Sequence, residues 1–243
     1  HAGARPLFER ALAINEKALG PEHADVATGL NNLGQLLQVM GDLTGARPLL
    51  ERALVINEKA LGPDHPDVAV SLNNLAVLLA DMGDYAAARR LYERALSVQE
   101  RALGSEHPDV AASIGDLGVN YGERGDFKQA EVYLRQALAL QRRLHPTVHP
   151  ELAEAMNNLG WVLMSLNQPV QAEPLFREAL EMKRKMLGEA HPELAAGLMN
   201  LAMALQSHRD YKGAEKAYRE ALAMNRKLLG DSHPQIAANL NNL

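Results

Sequence analysis

Apolar residues recur along this chain at helical spacing, and the same apolar face returns every 42 residues. In the stretch from Pro66 to Met82, Val68, Ala69, Leu72, Leu75, Ala76 and Leu79 fall on one side of a helix. Pro66, Pro108, Pro150, Pro192 and Pro234 stand at the first helical position, where a missing N–H costs nothing. Asp67, Asp109, Glu151 and Glu193 follow, where the helix dipole favours negative charge. Gly41, Gly83 and Gly125 read as left-handed caps ending this helix. Asp42, Asp84, Asp126 and Asp210 then read as N-caps of a second helix. Its apolar face is Ala46, Leu49, Leu50, Ala53 and Leu54 in one copy, and Ala88, Leu91, Tyr92, Ala95 and Leu96 in the next. Gly62, Gly104, Gly188 and Gly230 stop it. No segment alternates with period two, so the pattern predicts an all-α chain of helix pairs.

The period itself is marked by His23, His65, His107, His149, His191 and His233, and by a parallel series Ala4, Ala46, Ala88, Ala130, Ala172 and Ala214. No linker interrupts it. The expected organisation is one array over 1–243: a half repeat at 1–22, complete repeats at 23–64, 65–106, 107–148, 149–190 and 191–232, and a half repeat at 233–243. The chain should open on a second-type helix over 2–20 and close on a first-helix stub at 234–243 exposing Ile236, Ala237, Leu240 and Leu243. Solenoids need polar capping repeats, and neither end reads as one. The expectation is therefore a fragment of a longer protein, with head-to-tail self-association through the bare ends. Pro6, Pro48 and Pro174 share one position inside the second helix, so that helix should start late, near Thr44, or forfeit a backbone bond. Asn167 and Arg209 stand where other turns carry glycine. A left-handed Arg209 would cost about 1 kcal/mol, unless the turn there differs.

The pattern resembles the tetratricopeptide repeat (TPR). The motif residues are Leu33-Gly34, Ala46, Leu50 and Ala53 in one copy, and Leu159-Gly160, Ala172, Phe176 and Ala179 in another. The usual family period is about 34 residues. The 42-residue period with LGPxHPDVA and LNNLA text is similar to the long-helix subtype of kinesin light chains and many bacterial multidomain proteins. The resemblance implies a right-handed superhelical solenoid of antiparallel helix pairs, with the first helix of each pair lining a concave groove. The family's early aromatic is absent: Leu30, Leu72, Ile114, Met156 and Leu198 hold its place.

Composition narrows the chemistry. Of 243 residues, 47% are hydrophobic and 23% charged, with a net charge of −5. No apolar run is long enough to span a bilayer, so no membrane association is expected. The mild acidity argues against nucleic acid as a partner. With no cysteine there is no disulfide framework, thiol nucleophile or thiolate metal site, which fits a cytoplasmic chain. The glycines are single helix stops without a phosphate-loop motif, and no nucleophile elbow or triad context exists. No cofactor and no catalysis are expected. Equivalent histidines of stacked repeats should lie on the order of 10 Å apart, too far to share one metal ion. Each is expected to cap the helix that follows it. His145 and His149 are four apart, but Pro146 and Pro150 flank them and the sequence shows no third ligand.

Binding residues follow from the resemblance. With Leu33 at family position seven, the groove positions include Asn31, Asn32 and Gln35, then Asn73 and Asn74, then Asp116, then Asn157, Asn158, Trp161 and Met164, then Asn200 and Met203. An Asn carries both a donor and an acceptor, so a file of them can pair with a peptide backbone of any sequence. For Asn32 and its equivalents at position six, ligand contact is favoured over a bond to the neighbouring repeat. Those at position five, such as Asn31, could equally bond to the neighbouring repeat. The groove has almost no Lys or Arg, which disfavours capture of a terminal carboxylate, and Asp81, Asp116, Glu123 and Glu154 make it acidic. The expected function is a protein–protein interaction module binding an extended segment with apolar anchors and some basic character. The alternative is a sensor or spacer arm of a larger signalling protein (kinase, nucleotide switch or protease) whose groove is occupied in cis.

Overall fold

The computed structural model of the chain describes residues 3–231 and 233–242; His1, Ala2, Ser232 and Leu243 lie outside the described residues. Among the described residues there are twelve helices and no strand. Residues 1–124 form one compact unit and residues 125–243 another. The first contains α1 (Arg5–Leu19), α2 (Ala24–Val39), α3 (Leu43–Leu61), α4 (Pro66–Asp81), α5 (Tyr85–Leu103) and α6 (Pro108–Glu123). The second contains α7 (Phe127–Leu144), α8 (Pro150–Ser165), α9 (Pro169–Leu187), α10 (Pro192–Ser207), α11 (Tyr211–Leu229) and α12 (Pro234–Asn241).

Local chemistry sets these boundaries. The Asp42, Asp84, Asp126 and Asp210 carboxylates each accept a backbone N–H from three residues on, at 2.9–3.3 Å. The glycines that end the helices have φ between 80° and 89°, which only a residue without Cβ adopts at no cost. Five of the six repeated histidines cap as expected. In His23, His65, His107, His191 and His233, Nδ1 accepts the N–H two residues on at 3.2–3.3 Å. His149 makes no such bond.

Proline and arginine resolve the two open expectations. Pro48 and Pro174 lie inside α3 and α9, which start at Leu43 and Pro169. These helices do not start late; they forfeit the backbone bond. In α1, Pro6 sits in the first turn instead. Arg209 is left-handed at φ 73°, as is Asn167 at φ 58°. The Arg209 turn is the ordinary one, with Asp210 N donating to Leu205 O at 2.9 Å as Asp42 N does to Leu37 O.

Within each unit successive helices pack on one another, and adjacent first helices also touch: α2 on α4, and α8 on α10. In the first unit, Val26, Ala27, Leu30, Ala53 and Ile56 form one core cluster with Leu12, and Val68, Ala69, Leu72, Ala95 and Val98 another. Each fully buried Leu contributes about 1.5–3 kcal/mol of hydrophobic transfer. Helix pairs close tightly where the first helix carries glycine. A Cβ on Gly34 would stand 2.6 Å from Leu50, and one on Gly160 would stand 2.6 Å from Phe176. The closing helix corrects one expectation. Ile236 is buried, whereas Ala237 and Leu240 are exposed; Leu243 lies outside the described residues. Leu7 and Ile14 of α1 are exposed apolar residues. No described helix is long and apolar enough to cross a membrane.

Candidate functional site

The candidate residues all sit on first helices, and their local geometry separates neighbours that look alike in sequence. In the first unit, Asn31 is buried and its Nδ2 donates to Ser71 Oγ of the next first helix at 3.0 Å. Asn57 of α3 donates to the same oxygen at 2.9 Å. Asn73 repeats the arrangement, donating to Ser113 Oγ at 2.8 Å. These amides join one repeat to the next. Asn32, one residue on from Asn31, is exposed. Gln35 reaches across to Asn74, with Nε2 donating to Oδ1 at 2.7 Å, and Gln38 likewise to Asp81 at 2.6 Å. The face of the first unit is thus a row of polar side chains laced from helix to helix.

It is also acidic. Asp81, Asp116 and Glu123 all lie close enough to act on the buried Tyr92, and Asp81 acts on Glu123. Burial, aided by Asp81, pushes the Glu123 carboxyl above the usual carboxylate range. Burial also pushes the Tyr92 phenol up, with Asp116, Glu123 and Asp81 adding to the effect. A cation placed on this face would relieve that repulsion.

The second unit differs because Ser71 and Ser113 become Ala155 and Gly197. Without a hydroxyl to meet, Asn157 turns back and donates to Ala153 O of its own helix at 3.0 Å. The missing side chain at Gly197 also leaves room. A cleft of about 500 Å³ lies among α8, the end of α9 and α10, lined by Glu154, Asn157, Asn158, Lys183, Gly197 and Asn200 among others. Asn158 and Asn200 make no side-chain hydrogen bond among the described residues, so both ends of each amide remain available. Lys183 is held by Glu193, Nζ to Oε2 at 2.8 Å, which lowers the Glu193 pKa.

One helical step beyond Asn158 and Asn200 stand Trp161 and Met203, 51% and 50% exposed. Trp161 is steadied by Phe127, edge to face at 5.7 Å between ring centroids. Met164 is half-buried on the same helix. Sequence reasoning missed Phe127, Lys183 and the serine series. The available signal was Ser71 and Ser113 standing 40 residues after Asn31 and Asn73, and vanishing together in later repeats.

Comparison with known proteins agrees with this architecture. Two tetratricopeptide repeat patterns match, one over residues 25–101 and 72–143, the other over 1–25, 152–193 and 194–235. No curated protein matches the chain. Among solved structures, nearly identical TPR-like repeats assigned to a kinesin light chain of Podosopora anserina are 26% identical, with TM-score 0.73 over 85% of this chain and 98% of that one. BtubC (BKLC) from P. vanneervenii is 24% identical, with TM-score 0.79 over 96% and 92%. The APC/C hetero-tetramer Cut9-Hcn1 is 19% identical, with TM-score 0.68 over 99% of this chain and 40% of that one. The last two likenesses speak to the fold alone.

Proposed function

The chain belongs to the tetratricopeptide repeat family, and from that premise we propose that it holds an extended peptide or protein segment on the first-helix face of its repeats. Such repeats are protein-interaction scaffolds rather than catalysts. The observation that carries the proposal is the face of the second unit. Asn158 and Asn200 offer unbonded amides at the cleft, and Trp161 and Met203 stand half exposed beside them. The amides suit the N–H and C=O of an extended backbone. The indole offers a large contact area with little rotamer entropy to lose, and the methionine adapts to what it meets. Asn31 and Asn73 are already engaged with the next first helix and set its spacing, and Asn157 is engaged within its own helix, so none of the three is assigned to the ligand.

The ligand has an apolar anchor for Trp161 and a basic residue for the Glu154 carboxylate at the cleft. A terminal carboxylate is a poor fit, because Lys183, the one cation lining the cleft among the described residues, is paired with Glu193. The proposed compartment is the cytoplasm. Selection of displayed random peptides against the full chain tests the reading. Enriched sequences should share an apolar residue flanked by Lys or Arg, and Asn158→Ala with Asn200→Ala should lose them. Enrichment of acidic sequences, or retention by the double variant, contradicts it.

A further inference from the structure

The loop between α7 and α8 breaks the repeat, and breaks it in a chemically specific way. Leu19, Leu61, Leu103, Leu187 and Leu229 close the other second helices; here His145 stands in their place. Pro146 replaces the glycine that elsewhere reverses the chain. Helix α7 accordingly ends one residue earlier than its equivalents, at Leu144, with His145 as its C-cap at φ −123°. The His145 side chain is only 20% exposed.

This brings His145 against His149. Their rings stack with centroids 3.5 Å apart and planes within 5°. His149 is the repeated histidine that gives up its cap: Nδ1, which in its five counterparts accepts an N–H, is buried without a partner among the described residues. His145 Nε2 lies 3.4 Å from Glu151 Oε2 and likewise has no hydrogen bond. Gln141 steadies the carboxylate, with Nε2 donating to Glu151 Oε2 at 3.2 Å, while its own Oε1 is buried and unpartnered. Three orphaned polar atoms in one cluster are an anomaly that an ion relieves.

The geometry points to a divalent transition-metal site at this junction, with His145, His149 and Glu151 as ligands and zinc as the ion that suits them. One ligand atom from each residue lies within 4.8 Å of the others. Two imidazoles and a carboxylate are a recurrent zinc donor set, leaving one position for water or for Gln141. Bonds of about 2.0–2.1 Å put tetrahedral ligands roughly 3.3 Å apart, so the cluster must close slightly. Parallel rings cannot both aim at one ion, so coordination tilts them out of the stack. Glu151 is exposed and free to swing inward. The bound ion takes over the role of the missing cap and ties the end of α7 to the start of α8.

The test uses the full chain stripped of metal with a chelator. Zn²⁺ is titrated calorimetrically and Co²⁺ by visible absorption, which reports tetrahedral coordination. One ion per chain should bind. His145→Leu, which installs the residue of the other repeats, should weaken binding by more than about tenfold, the least expected even of outer-shell changes. Glu151→Gln should do the same, and His191→Ala, at an ordinary cap, should not. Circular dichroism shows that each variant is folded. Absence of saturable binding, or wild-type affinity in folded His145→Leu and Glu151→Gln, overturns the proposal.

Discussion

At the scale of single residues, the same repeat position is used for different ends according to what stands beside it. Asn31 and Asn73 spend their amides on Ser71 and Ser113, whereas Asn157, with Gly197 at the matching position 40 residues on, bonds within its own helix. The choice depends on a partner 40 residues away, so a single repeat read alone does not reveal it. Backbone strain is more local and was legible: a turn built for glycine carries Arg209, and the side chain pays with a left-handed conformation at φ 73°. Arg209→Gly should therefore raise stability by about 1 kcal/mol, measured by urea denaturation. An unchanged or lower midpoint would mean that the arginine side chain makes compensating contacts.

At the scale of elements, most caps and stops were readable because each is set by residues within a few positions, His149 being the exception. Asp N-caps, glycine stops and five of six histidine caps need no long-range information. The pairing of elements is set by contacts that local sequence does not encode. Ser71 joins three helices, receiving bonds from Asn31 of α2 and Asn57 of α3 while sitting on α4. Ser71→Ala should cost about 1–3 kcal/mol, since two buried donors lose an acceptor, although Asn57 also reaches Asp67 O at 3.3 Å. A denaturation midpoint equal to wild type would show that these amides find other partners. In the second unit, Glu173 of α9 meets Arg177 on its own helix at 2.6 Å and His208 at the end of α10 at 2.9 Å. The Arg177 hydrogen bond and then that of His208 lower its pKa against the opposing effect of burial. A depressed carboxylate stabilises fully above its unfolded pKa, and that stabilisation is lost as pH falls through the folded value. Glu173→Gln should thus be less stable than wild type at neutral pH, and the two should converge in acid. A gap that is constant with pH would show that charge is not the cause.

At the scale of the whole molecule, repetition supplies the scaffold and departures from it supply the chemistry. The helices, their pairing and the family follow from what recurs every 42 residues. The sites follow from what does not recur: Trp161 where other repeats carry Gln35, Val77, Val119 and Met203, and His145 where they carry leucine. The period made the first-helix face legible, but which of its members are open required the side-chain bonds. Trp161 is the only tryptophan, so its fluorescence reports on the proposed face without labelling. The decisive measurement is a titration of the full chain with a peptide enriched by display, read by tryptophan emission and paired with calorimetric affinity and melting temperature for Trp161→Ala. The account predicts a change in emission on binding, a loss of about 2 kcal/mol in affinity and a nearly unchanged melting temperature in the variant. Normal affinity in a variant that has lost several degrees of melting temperature would make Trp161 a core residue and contradict the proposed face.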